Sequence, residues 1–491
     1  MNKPLRRLSI LVALMFLAIM ASTTYHQFFN AQALNNDSRN VRSLYREYGN
    51  HRGPIVASNG QILVESVPVD SPFGFMRTFS GRNPTQAQMY APVTGYFSIV
   101  NGLTGIERAE NDYLNGSAAA LWVNRLRGLF TGEDRRGASV ELTIVPAIQQ
   151  AAWDALGGQR GAVTVINPQT GAILAMVSKP SFDPNDLAIH STAVAGQRFQ
   201  DLVNAAHDPL LNRNIATLYP PGSTFKLVTA AAALETGTVT DGQLIPAPNS
   251  YTLPGTSHAL NNFGGASCSP TGEMTMHDAM VISCNTAFAM LGVELGAEAL
   301  ANQAMRFGFN SPFEIPMHTA VSGFPPVAGL TPDRQALSGI GQGDVTSTPL
   351  QMAVVAAAIA NHGVIMQPYL VQQVRDPDLQ TIYTATPEQL GQAINSTTAE
   401  ALTQMMLDTV NRGTGTGARI SGVQVAGKTG TAQTAPGVPP HAWFVAFAPA
   451  ANPTVAVAVV VEQGGNLASE ATGGRVAAPI ARAVIQAALA Q

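Results

Sequence analysis

Tyr219-Pro220-Pro221-Gly222-Ser223-Thr224-Phe225-Lys226 joins a helix-breaking run to a helix start. Pro220, Pro221 and Gly222 cannot continue a helix from upstream, and Gly222 permits a sharp turn. After Ser223 come Phe225, Leu227, Val228 and an Ala-rich run to Leu234, closed by Gly237. They predict a buried helix starting at or next to Ser223. Positions three apart share a helix face, which makes the Ser223 hydroxyl and the Lys226 amine neighbours. The helix N-terminus offers unpaired N–H groups and a positive dipole end to developing negative charge. A hydroxyl, a nearby amine and an anion-stabilising helix end are the parts of an acyl-transfer nucleophile.

Ser-x-x-Lys recurs by chance, and a helix cap beside a surface lysine is its commonplace reading. Two later stretches outweigh that reading. Ser283-Cys284-Asn285 sets a hydroxyl and an amide two positions apart. Lys428-Thr429-Gly430-Thr431 lies between the apolar run Val423, Val425, Ala426 and a strand-like run over residues 443–448. Ser-x-x-Lys, Ser-x-Asn and Lys-Thr-Gly, in that order, form the signature of serine enzymes that react with penicillin.

The 491 residues allow two or three domains, and 46% hydrophobic with 12% charged content fits a folded body. A net charge of −4 without a basic stripe points away from nucleic acid. Nine scattered histidines lack metal-ligand spacing, and no Gly-rich phosphate loop follows a strand, so neither metal nor cofactor is implied.

Lys3, Arg6 and Arg7 precede an uncharged apolar run from Leu8 to about Thr24. We read residues 8–28 as a transmembrane anchor, with residues 1–7 cytoplasmic and the body outside. A cleaved signal peptide is the competing reading, but the nearest small-residue site, Ala31-Gln32-Ala33, lies too far past the apolar core. An extracytoplasmic body favours a disulfide between Cys268 and Cys284, worth about 3 kcal/mol for so short a loop in the chain-entropy model. It would tether the segment carrying Ser283 and Asn285.

Residues 29–138 are expected to be non-catalytic. They contain a polar membrane-proximal stretch over 35–50, a hairpin turning at Ser58-Asn59-Gly60, a loop-like segment over 84–92 and a short amphipathic helix over 121–130. From 139 to 491 the pattern is that of a second domain. Val140, Leu142 and Ile144 alternate as a strand, Pro146 opens a helix, and residues 161–166 and 172–177 flank the turn Asn167-Pro168-Gln169-Thr170-Gly171. Residues 181–218 show little periodicity. After 285 mainly helices are expected, one capped by Thr348 and opened by Pro349, then a hairpin over 443–461 and a helix from about 476 to 489. The fold class is α+β, with an antiparallel sheet assembled from distant segments and flanked by helices.

The anchor, Arg52-Gly53-Pro54-Ile55, residues 161–184, Pro220 to Lys226, residues 340–352 and residues 427–448 resemble class B penicillin-binding proteins, in particular the actinobacterial branch that acts in cell division. The resemblance covers nearly the whole chain. It implies a five-stranded antiparallel sheet with an all-helical part, set on a small mixed pedestal of the dimerisation type. It also implies a membrane-anchored, monofunctional D,D-transpeptidase that cross-links peptidoglycan stem peptides, releases terminal D-Ala and is a target of β-lactams. On these residues the resemblance makes Ser223 the nucleophile, Lys226 its base and Ser283 a proton relay. Asn285 would hold Lys226 and the substrate amide, and Lys428, Thr429 and Thr431 would bind the terminal carboxylate, with Gly430 leaving room for the substrate backbone. Burial and the neighbouring Lys428 would lower the Lys226 pKa. Backbone N–H groups of Ser223 and Thr431 would form the oxyanion hole. The implied partners are stem peptides, β-lactams, the cell membrane, a membrane glycan polymerase and division or elongation proteins. One departure is that Val56-Ala57-Ser58-Asn59-Gly60 stands where the family has an acidic residue and an arginine, which bears on pedestal packing.

Three rivals stay in view. A D,D-carboxypeptidase differs only in resolving the acyl-enzyme with water. A β-lactamase needs a water-activating carboxylate, for which Glu298 with Asn302 has the spacing. A non-catalytic cell-wall scaffold would not need Ser223, Lys226, Asn285 and Lys428 intact.

Overall fold

Five strands from two distant parts of the chain make the central sheet. They are β1 (Gly161–Ile166), β2 (Ile173–Lys179), β3 (Ala426–Ala432), β4 (His441–Ala448) and β5 (Val455–Val461), in the order β3-β4-β5-β1-β2. Every neighbouring pair is antiparallel. The computed structural model describes residues 3–25, 48–122, 136–240, 242–435 and 437–491. The membrane-proximal stretch up to residue 47 and nearly all of the helix expected over 121–130 lie outside the described residues.

Both sheet faces are covered, so β5 is apolar and buried throughout. Trp443, Val445 and Phe447 of β4 join the core that holds Phe225, Leu227 and the fully buried helix Pro349–Ala360. The alternate residues Ala442, Phe444 and Ala446 pack with helices Pro146–Leu156 and Ala477–Leu489. Period-two alternation thus divides one strand between two cores.

A second, six-stranded sheet splices the pedestal to the catalytic region. Its order is Thr381–Thr384, Val371–Arg375, Ser139–Leu142, Ile55–Val56, Ile62–Pro68, Phe75–Phe79. The hairpin over 371–384 lies where helices were expected. Its strands are short. Thr381–Thr384 is largely exposed, and Val371–Arg375 buries only Val371 and Val374, three positions apart, so neither carries an apolar alternation to announce it. Residues 84–92 are not a loop but most of helix Pro84–Thr94, with the Asn83 side chain accepting from Gln86 N at 3.2 Å and Pro84 in the first turn, where a missing N–H costs nothing. The stretch over 181–218 likewise contains the helix Thr192–Val203.

At the N-terminus, helix Lys3–Thr24 is exposed along its whole length with a mean hydropathy of 1.9, and is long and apolar enough to cross a membrane.

Candidate active site

The Pro-Pro-Gly run delivers the chain into a tight turn, Gly222–Thr224, that feeds the helix Lys226–Thr236. Three contacts fix this turn. Tyr219 exchanges backbone hydrogen bonds with Ser347, Trp443 Nε1 donates to Pro220 O at 3.1 Å, and Gly222 N donates to Gly341 O at 2.8 Å. Gly222 has φ +53°, and a Cβ there would stand 3.0 Å from Thr431 O, so glycine is required twice over. Ser223, half-buried, lines a cleft of about 490 Å³ with Ser283, Asn285, Thr429 and Thr431.

Lys226 is fully buried beneath that cleft, and its Nζ donates to Asn285 Oδ1 at 2.8 Å and Ser283 O at 2.9 Å. Lys428, equally buried, reaches from β3 and donates to Ser283 Oγ at 2.9 Å and Thr429 O at 3.0 Å. Among the described residues no hydrogen bond joins Lys226 to the Ser223 hydroxyl; the amine is held by the Ser-x-Asn segment. Burial, then the charge of Lys428, pushes the Lys226 amine well below the usual lysine range, and burial lowers Lys428 to about 7.

Ser283 ends the helix Met276–Ile282 in the left-handed region, at φ +62°. That conformation costs roughly 1 kcal/mol or more for a non-glycine residue, and here it turns the carbonyl and the hydroxyl of Ser283 to the two lysines. Asn285 opens the helix Asn285–Arg306, whose N-cap Cys284 offers no side-chain acceptor. Asn262 supplies one from a distance, its Oδ1 accepting from Asn285 N at 2.9 Å and Thr286 N at 3.1 Å. The expected Cys268–Cys284 disulfide is present and ties the cleft wall to the Ser-x-Asn segment.

Thr429 and Thr431 line the cleft, as their alternation predicted. Gly430 also has a packing role. A Cβ there would come within 2.8 Å of Trp443 Cβ and 3.0 Å of Pro221 O and Thr224 Cγ2, so the glycine makes room for the nucleophile turn. Gly430→Ala is therefore expected to cost about 1–3 kcal/mol by overpacking, read as a lowered denaturation midpoint. An unchanged midpoint would remove that account.

Sequence reasoning missed Asn262, Thr414, Thr472 and Gly474, all of which line the cleft. Thr414 Oγ1 lies 2.7 Å from Thr429 Oγ1. The Gly413-Thr414-Gly415-Thr416-Gly417 run advertises a loop, but nothing local joins it to Lys-Thr-Gly, and Asn262 carries no signal at all. Glu298 and Asn302 are exposed and do not line the cleft.

Comparison with known proteins places these features in one family. Residues 161–486 match the penicillin-binding protein transpeptidase domain, and residues 52–140 match the penicillin-binding protein A dimerisation domain. The chain is 47% identical to the peptidoglycan D,D-transpeptidase PbpA of Mycolicibacterium smegmatis, covering 100% of this chain and 99% of that one. The Mycobacterium tuberculosis counterpart is 46% identical over 100% of this chain and 99% of its own. Among solved structures, the ceftriaxone acyl-enzyme of penicillin-binding protein A from M. tuberculosis superposes with a TM-score of 0.86 at 45% identity, over 91% of this chain and 100% of that one. A D,D-transpeptidase domain from Eggerthella lenta follows at 0.78 and 36% identity, over 90% of this chain and 98% of that one. The chain belongs to the penicillin-binding transpeptidase family.

Proposed function

We propose that this chain is a peptidoglycan D,D-transpeptidase in which Ser223 attacks the carbonyl preceding the terminal D-Ala of a stem peptide. The observation that carries the assignment is the bonding of Lys226. A neutral amine has two hydrogens and one lone pair; Asn285 Oδ1 and Ser283 O take the hydrogens at 2.8 and 2.9 Å. The lone pair is then the part of the amine that can accept a hydroxyl proton, with Ser283 Oγ 3.4 Å away and the Ser223 hydroxyl as the donor in the reaction. As the Ser223 Oγ–C bond forms, that proton passes to Lys226. It then moves through the Ser283 hydroxyl to the departing D-Ala nitrogen as the C–N bond breaks. Lys428, donating to the same hydroxyl, supplies positive potential for the substrate carboxylate, and Thr429 and Thr431 offer it hydroxyl donors. The N–H groups of Ser223 and Thr431 stabilise the oxyanion; β3 is the edge of the sheet, so alternate amides lack a partner strand. An amine from a neighbouring stem peptide then displaces Ser223 and forms the cross-link.

Residues 8–28 anchor the enzyme, with residues 1–7 in the cytoplasm as Lys3, Arg6 and Arg7 favour, and the body outside. Residues 29–138 form the pedestal and 139–491 the catalytic domain. The penicillin-binding protein A relative from M. tuberculosis has been solved as a penicillin G acyl-enzyme, which supports the same covalent chemistry here. A membrane glycan polymerase and division or elongation proteins are the partners the family implies.

Intact-mass spectrometry of the full chain in detergent, with penicillin, is expected to show one adduct that Ser223→Ala lacks. A folded wild type without an adduct overturns the assignment. Transfer to an added acceptor amine, rather than hydrolysis alone, separates transpeptidation from carboxypeptidation.

A further inference from the structure

Behind the nucleophile turn lies a partly buried charged cluster that takes no part in the chemistry above. Glu462, directly after β5, accepts from the Tyr219 hydroxyl at 2.7 Å and from Arg213 Nε at 2.9 Å, and pairs with Arg160 through its other oxygen. Burial raises the Glu462 pKa, but the Tyr219 hydroxyl and the two guanidiniums outweigh it and hold the carboxylate below its usual range. Burial beside that carboxylate pushes Tyr219 upward. At neutral pH the cluster is thus one carboxylate, two guanidiniums and a neutral phenol. His441, the first residue of β4, sets its ring edge-on to Tyr219 at 5.3 Å, and its Nδ1 accepts from Gln463 N at 3.1 Å.

These residues come from three segments that border the cleft. Tyr219 leads into the turn carrying Ser223, and His441 closes the loop after β3. Glu462 and Gln463 open the segment Glu462–Glu470, which runs on to Thr472 and Gly474 in the cleft wall. Gln463 and Ala468 hold left-handed φ values of +48° and +46°, conformations that persist in non-glycine residues only when surrounding contacts impose them.

We propose that Glu462 is a positioning residue for acyl transfer. Through the Tyr219 phenol it fixes the turn that presents Ser223, and through Gln463 it fixes the start of the segment forming the far wall. The inference rests on Ser223 being the nucleophile. Its physical basis is the steep dependence of acyl transfer on placement, where a shift of about 1 Å costs ~10²-fold in rate.

The test uses Tyr219→Phe, Glu462→Gln and the double variant of the full chain in detergent. Stopped-flow binding of a fluorescent penicillin separates non-covalent affinity from the acylation rate constant. Each single variant is expected to acylate about 10- to 100-fold more slowly, with affinity nearly unchanged and the double variant no slower than Glu462→Gln. Lower melting temperatures with wild-type acylation rates, measured where the variants are folded, overturn the proposal, as does strict additivity. Should Glu462→Gln not fold, Tyr219→Phe, which removes a single oxygen, carries the test. An unreactive wild type removes the parent reading and this inference together; a reactive wild type with unimpaired variants removes this inference alone.

Discussion

Lys226→Met is expected to slow acylation by penicillin about 10²- to 10⁴-fold while the protein stays folded. Methionine keeps the length and apolar stem of lysine but has no lone pair strong enough to take the Ser223 proton. Acylation in wild type should fall as pH drops through the lowered Lys226 value, because only the neutral amine is a base. It should also fall on the alkaline side as Lys428, at about 7 in the free enzyme, loses the charge that attracts a carboxylate. A bound carboxylate shifts that limb upward, and the two amines titrate as a pair.

The same lysines set a stability signature. Both fold with pKa values below the roughly 10.4 of an unfolded lysine, so between those limits the unfolded chain holds more protons than the native one. Stability therefore rises with pH through that window and is lost as pH falls. The chain has only four lysines, Lys3, Lys179, Lys226 and Lys428, which keeps the measurement clean. Lys179, lowered to about 8 by burial, contributes with the same sign in wild type and variant. Denaturation midpoints between pH 7 and 10 should climb less steeply in Lys226→Met. Wild-type acylation in the variant would remove the base role, and an unchanged slope would contradict a buried neutral amine.

The catalytic motifs were legible because each is locally punctuated. Two prolines precede Gly222, an apolar run precedes Lys428, and Thr429 and Thr431 share a face by alternation alone. Gly430 shows where that stops: the residue was found, but its packing against Trp443 and Pro221 was not, since only the folded chain brings them together. Asn262, Thr414 and Glu462 were invisible for the same cause, since each acts on a segment far away in sequence. In the pedestal, Arg52 stood out within Arg-Gly-Pro-Ile, but Glu107, one acid on the short helix Gly105–Ala109, reads as surface until the fold buries it.

Glu107→Ala is expected to destabilise the pedestal by about 3–5 kcal/mol. Glu107 is fully buried between Arg52, whose Nη2 donates to Oε2 at 2.7 Å, and Arg77, whose Nε donates to Oε1 at 2.5 Å. Burial alone would raise its pKa, yet the two guanidiniums, Arg77 foremost, hold it ionised. Arg52 has other support, over the Phe97 ring at 4.5 Å and donating to Asn111 Oδ1 at 2.8 Å. Arg77 has less, with Nη2 finding no hydrogen-bond partner among the described residues. Removing the one carboxylate strands both cations in a dry site, which costs far more than the pair itself was worth, so replacing all three residues with apolar ones should recover much of the loss. Arg77 lies in the edge strand of the shared six-stranded sheet and Arg52 just ahead of its Ile55–Val56 strand, both far from Ser223 in sequence. Limited proteolysis should therefore open residues 52–140 first, with penicillin acylation persisting at low temperature, even though Ile55, Leu63 and Phe79 share a core with Phe225 and Leu227. A Glu107→Ala chain with the wild-type midpoint would mean that water reaches these guanidiniums; simultaneous loss of acylation and pedestal structure would mean that the spliced sheet makes the two domains one cooperative unit.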